Sequence, residues 1–143
     1  VSGWFLAALL GACLYFDLRY RQLPNWLNGL IFVTGLMHLL TPALTTELVT
    51  DRLMALTIVT LVGGVLFYRA WLGGGDIKLA IALSVWLGTD KLVSFFVILS
   101  LAGGLLAIVF LSYNLIANFL NLKKITTLPY GVAIVIGATV LLL

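Results

Sequence analysis

Trp71-Leu72-Gly73-Gly74-Gly75-Asp76-Ile77-Lys78 is the stretch on which the reading of this chain turns. Three glycines run into an acid, a base follows two residues later, and apolar segments lie on both sides. The chain around it has 143 residues, of which 63% are hydrophobic and 9% charged, whereas soluble domains carry roughly 25% charged residues. That composition belongs to an integral membrane protein, where an ionisable side chain is costly and points to function. The apolar segment after the glycines, Ile77 to Leu87, is about half the roughly 20 residues that a bilayer crossing needs. Either the helix starts below the surface or the glycine run itself lies at membrane depth. Irregular backbone there is tolerated only in a wet cavity or buried in protein, which makes Asp76 the first candidate for a site.

Outward from this stretch, short polar breaks divide the chain into six apolar segments and leave no room for a soluble domain. We expect a single all-α, polytopic domain over residues 1–143 with about six transmembrane helices. The first segment runs from Val1 to Phe16 and meets Asp17. Pro24 suits the start of the second, Asn25 to Leu40. Asp51-Arg52 lead into a third that ends at Tyr68, and the fourth is Ile77 to Leu87. Gly88-Thr89-Asp90-Lys91 reads as a tight turn before the fifth, Leu92 to Asn114, and the sixth starts at Pro129-Tyr130-Gly131. Gly63-Gly64 and Gly103-Gly104 fit close helix contacts. Leu10-Gly11-Ala12-Cys13 has the look of a lipobox, but no basic stretch precedes it and five more apolar segments follow, so it reads as helix. One cysteine and one histidine, His38, give neither a disulfide framework nor a metal-ligand spacing; no metal is expected, and His38 reads as a wet helix end.

The basic residues orient the chain. The first, third and fifth breaks with their helix ends hold Arg19, Arg21, Arg69, Lys78, Lys123 and Lys124, while the second and fourth hold Arg52 and Lys91. By the positive-inside rule the odd loops are cytoplasmic and both termini lie outside. The net charge of +3 is therefore a matter of membrane orientation, not of nucleic-acid binding. Trp4, Trp26, Trp71 and Trp86 fall near helix ends, as an interfacial aromatic belt requires.

The same topology sorts the acids. Glu47, Asp51 and Asp90 fall in or beside the outer loops. Asp17 and Asp76 remain at the cytoplasmic edge, on different helices, which is the material of an aspartyl dyad: two like charges held close share a proton and so provide an acid and a base. Asp76 heads a helix, where the macrodipole favours an anion, and Asp17 ends one. This places the base at Asp76 and the proton at Asp17. On residues alone, Asp17 also reads as an interface acid paired with Arg19 or Arg21, and Asp76 as a helix N-cap after a glycine turn.

Gly73-Gly74-Gly75-Asp76 fits the GxGD motif of intramembrane aspartyl proteases. Asp17 followed by Leu23-Pro24-Asn25 resembles the first catalytic motif of the prepilin peptidases, the type IV leader peptidases, and Gly75-Asp76-Ile77-Lys78 and Pro129-Tyr130-Gly131 match that family's pattern in order. The resemblance implies a multi-pass protein of the bacterial inner membrane that cleaves the basic leader from prepilin-like substrates on the cytoplasmic side, usually after a glycine and just before the hydrophobic helix. It implies Asp17 and Asp76 as the catalytic pair, with Gly73 and Gly75 letting an extended peptide approach closely. Tyr130 is a candidate to line the site. Lys78, two residues beyond Asp76, does not face it on a regular helix; it either meets an acid early in the mature pilin or snorkels. Lipid head groups are the expected partners of Arg19, Arg21, Lys123 and Lys124. The cysteine-rich extension and methyltransferase activity of large members have no counterpart in this sequence, so the chain resembles the short, peptidase-only type or a trimmed catalytic core, and no cofactor, S-adenosylmethionine included, is expected. The alternatives are a proton-coupled transporter relaying through Asp17 and Asp76, and a silent pilus-assembly protein. A reporter fused to each terminus tests the orientation: both are expected outside, and a cytoplasmic signal from either contradicts it.

Overall fold

The computed structural model describes residues 3–40, 45–120 and 130–143. Lys123, Lys124, Pro129 and the break around Pro42 lie outside the described residues. Within them the chain is all helical: α1 (Gly3–Tyr20), α2 (Asn25–Leu39), α3 (Thr46–Tyr68), α4 (Gly74–Phe119) and α5 (Tyr130–Leu142). α3 and α4 are long and apolar enough to cross a membrane. Pro24, extended at φ −63° and ψ 136°, precedes α2 as the proline suggested. α3 begins earlier than expected, because the Thr45 hydroxyl caps it by accepting the Leu48 N–H at 3.2 Å. Glu47 and Asp51 are therefore helical residues of α3, not residues of a loop leading into it.

The fourth and fifth apolar segments form one element, α4, bent at the single residue Gly88 (φ 70°, ψ 176°) in place of the expected four-residue turn. Glycine alone adopts that φ without strain, and a Cβ there would run into the Asp51 carboxylate and the Arg52 guanidinium. The bend strands backbone groups that an unbroken helix would satisfy, and α3 supplies their partners. Arg52 Nη1 donates to the Trp86 carbonyl at 2.8 Å. Thr89 donates its N–H to Asp51 Oδ1 at 3.0 Å and its hydroxyl to the same oxygen. Arg52 Nε and Asp51 Oδ2 are themselves 3.8 Å apart. These two charges, read from sequence as ordinary residues near an outer loop, clasp the break in α4.

The limb of α4 before Gly88 is the central rod of the molecule. Ile77, Leu79, Ala82, Leu83, Val85, Trp86 and Leu87 along it are all buried, and Leu79, Leu83 and Leu87 share a core with Leu6 and Leu10 of α1, Leu27 and Ile31 of α2, and Ile134 of α5. Trp86 departs from the aromatic-belt expectation. It is 8% exposed, its indole N–H donates to the Ile31 carbonyl at 3.0 Å, and it stacks on His38 at 5.1 Å. Trp4, Trp26 and Trp71 are exposed, and His38 is an exposed helix-end residue.

The short rod settles where Asp76 starts. Arg52 meets Trp86 and Gly63 meets Ile77, whose Cγ2 would lie 2.9 Å from a Cβ at Gly63, so α3 and the rod run antiparallel in register. α3 then continues from Gly63 to Tyr68, roughly 7 Å further at 1.5 Å per residue. Asp76, one residue before Ile77 in the first turn of α4, thus lies roughly 6 Å short of the end of α3. The glycine run is not irregular throughout: Gly74 and Gly75 are helical, and only Gly73 is extended, at φ −69° and ψ 147°.

Removing the Arg52 guanidinium leaves the Trp86 carbonyl unpaired. Arg52→Ala is expected to destabilise the fold by about 1–3 kcal/mol, measured as a lower unfolding midpoint in detergent; an unchanged midpoint would show that the clasp does not hold the bend.

Candidate active site

Asp17 lies in the last turn of α1 and is only 5% exposed. A carboxylate with so little water needs donors, and α5 brings one. The Val132 N–H, in the first turn of α5, donates to Asp17 Oδ2 at 2.9 Å. Uncapped N–H groups and the macrodipole make a helix N-terminus a ready anion site. The approach is close enough that a Cβ at Gly131 would sit 2.6 Å from Oδ2 and 2.8 Å from Cγ. Gly131 and Val132 are therefore site residues for which the sequence offered only the motif Pro129-Tyr130-Gly131 as a signal, with Tyr130 as the residue singled out.

Asp76 stands in the first turn of α4, with its carboxylate turned back to accept a backbone hydrogen bond from Gly73. A Cβ at Gly73 would lie 3.1 Å from Asp76 Oδ2. At Gly75 a Cβ would lie 3.3 Å from Leu23 Cβ, so this glycine admits the chain's own Leu23, where an incoming peptide had been expected. Asn28, on α2, donates from Nδ2 to the Gly75 carbonyl at 3.2 Å. It is 4% exposed, and among the described residues its Oδ1 has no hydrogen-bond partner. Lys78 is exposed and donates to Asn25 Oδ1 at 2.8 Å, a third use beside the two that sequence suggested. Leu23, Asn25 and Asn28 thus fasten the start of α2 to the start of α4. Asn28 was missed, although it follows Leu23-Pro24-Asn25 by one helical turn.

The two aspartates come together. Asp17 and Asp76 line one cavity of about 290 Å³ with Arg21, Gln22, Leu23, Gly73 and Gly75. Arg21, in a left-handed conformation at φ 52°, lays its guanidinium over Phe110 at 5.7 Å. Tyr130 and Asp76 both line a second cavity, of about 370 Å³; Lys78 lines neither. The helix-end contrast between the two acids does not survive the contact with α5. Asp17 ends α1 but faces the N-terminus of another helix, so helix ends do not separate the two, and the pair is best treated as one titrating unit. Such a unit offers a general base and a general acid on a single carbonyl. Among the described residues no group of three or more His, Cys, Asp or Glu side chains is placed to hold a metal.

A family model described as the type IV leader peptidase family matches residues 4–108. The matched span holds Asp17, Leu23-Pro24-Asn25 and the glycine turn. Neither the curated proteins nor the solved structures yield a match.

The contact between α5 and Asp17 is testable without an activity. Gly131→Ala is expected to cost about 1–3 kcal/mol of stability, and the cost should largely vanish in an Asp17→Ala background, because the clash and its partner are removed together. Equal costs in both backgrounds would contradict the contact.

Proposed function

Because the chain belongs to the type IV leader peptidase family, we propose that it is a membrane aspartyl endopeptidase that removes the basic leader from prepilin-like substrates on the cytoplasmic side of the bacterial inner membrane. Asp17 and Asp76 are the catalytic pair. The observation that carries this reading is their meeting in one polar cavity from two separate helices.

The chemistry follows from two carboxyl groups sharing one proton. The ionised carboxylate takes a proton from water as the water oxygen attacks the scissile carbonyl carbon, and the protonated partner donates to the carbonyl oxygen. The tetrahedral intermediate then collapses, a proton passes to the amide nitrogen, and the C–N bond breaks to release a carboxylate and an amine. No metal, cofactor or covalent enzyme adduct enters this sequence. The Val132 N–H holds Asp17, and Gly73 with the Asn28–Gly75 contact holds Asp76. An amide bond inside a substrate helix is shielded by its own turn, so the bond is presented in extended form, just ahead of the apolar segment. Lipid head groups remain the proposed partners of Arg19.

Purified protein incubated with a prepilin in detergent is expected to yield the shortened product. Asp17→Asn and Asp76→Asn are each expected to lower the rate by about 10²–10⁴-fold, the range for a lost general acid or base. Cleavage that survives both substitutions would exclude the pair. A proton relay would leave the substrate whole even with the wild-type protein.

A further inference from the structure

Asp76 lines two cavities of opposite character. On one side is the polar cavity with Asp17, Arg21 and Gln22. On the other is an apolar groove of about 370 Å³ between α3, both limbs of α4 and α5, lined by residues that include Val62, Leu66, Leu99, Gly104 and Ala107. Its volume is that of a small ligand pocket, within the usual range of about 300–1,000 Å³. It holds a few side chains, not a whole helix. The groove has depth because small residues line its wall on the second limb of α4: a Cβ at Gly104 would meet nothing within 4 Å. Tyr130 and Ser100 bring the hydroxyl groups of its lining, and Asp76 the carboxylate.

A peptide bond attacked at Asp76 has residues on both sides, and the two cavities differ in what they accept. A polar side chain entering the groove would lose its water and find few partners, which is unfavourable. An aliphatic side chain in the polar cavity would displace water from two carboxyl groups and an arginine without replacing any hydrogen bond. Chain direction at the site is thereby set by polarity. We propose that the groove is the subsite for the first apolar side chains after the scissile bond, and that the polar cavity takes the residues before it. This rests on the peptidase reading and adds to it a direction and a size limit. Occupation by a lipid acyl chain is the competing outcome, since nothing then ties the groove to the substrate's sequence.

The experiment uses two prepilin substrates that differ only in the first four residues after the cleavage site, leucine in one and alanine in the other. Each is assayed as kcat/KM with the full chain in detergent. Gly104→Leu fills the groove and is expected to lower cleavage of the leucine substrate by about 10-fold or more, the scale on which apolar pockets discriminate by size. The alanine substrate should be cut nearly as by wild type. Ala107→Leu should give the same split. Gly64→Leu, where a Cβ also meets nothing within 4 Å but which is not part of the groove lining, should leave both rates unchanged. Equal losses on the two substrates, or no loss on either, would overturn the groove as a subsite, and equal losses are also what a lipid-filled groove predicts. Wild-type protein that cuts neither substrate would instead defeat the peptidase reading itself.

Discussion

Wherever this apolar chain is surrounded by hydrocarbon, a charge or a broken helix end has to find its partner inside the protein, because hydrocarbon offers none. That constraint connects the two polar features of the molecule. At Gly88 the bend in α4 frees backbone groups, and Asp51 and Arg52 of α3 satisfy them. At the other end of the rod, the first turn of α5 and the buried carboxylate of Asp17 meet through the Val132 N–H. Each pairing answers a deficit on both sides. Truncating one partner leaves the other stranded, which is the more expensive half of any buried hydrogen bond.

Between those two features lies the short rod, and its packing explains how Asp76 is held in place. Neighbouring helices approach it through glycines: Gly35 of α2 against Trp86 and Gly63 of α3 against Ile77, each with a notional Cβ only 2.9 Å from the nearest side-chain atom. Close backbone contact of this kind is the principal source of helix association where apolar burial gives no advantage over lipid. The rod is clasped at its far end and wedged along its length, so the position of Asp76 follows from its register against α3. A shift of one residue along the axis would move the carboxylate by about 1.5 Å, enough to spoil the alignment that general acid–base catalysis demands.

Much of this was readable in the residues, because it depends on local pattern. Pro24 marked the start of α2, and the apolar run Ile77 to Leu87 marked the limb of α4 that ends at Gly88. The family resemblance, carried by Asp17, Leu23-Pro24-Asn25 and the glycine turn, agrees with the matching family model. The features that escaped notice are pairings between distant positions. Nothing around Asp51 or Arg52 indicates that they meet Trp86 and Thr89, and the charge count alone suggested ordinary outer residues. Trp86 looked like an interfacial anchor because its neighbours in sequence are a turn, whereas its neighbours in space are Ile31 and His38. Asp17 is a further case: its own helix ends there, but the helix that faces it begins there and donates the Val132 N–H.

The central claim is geometric: Asp17 and Asp76 open into one cavity. It is tested most directly by replacing both with cysteine in a Cys13→Ala background and treating the protein with a short bifunctional thiol reagent. Mass spectrometry of the digested product should find residues 17 and 76 joined within one chain, with neither single-cysteine protein giving that product. Full modification of both thiols with no intramolecular bridge would show that the two positions do not share a cavity, and the account of the site would fail with it.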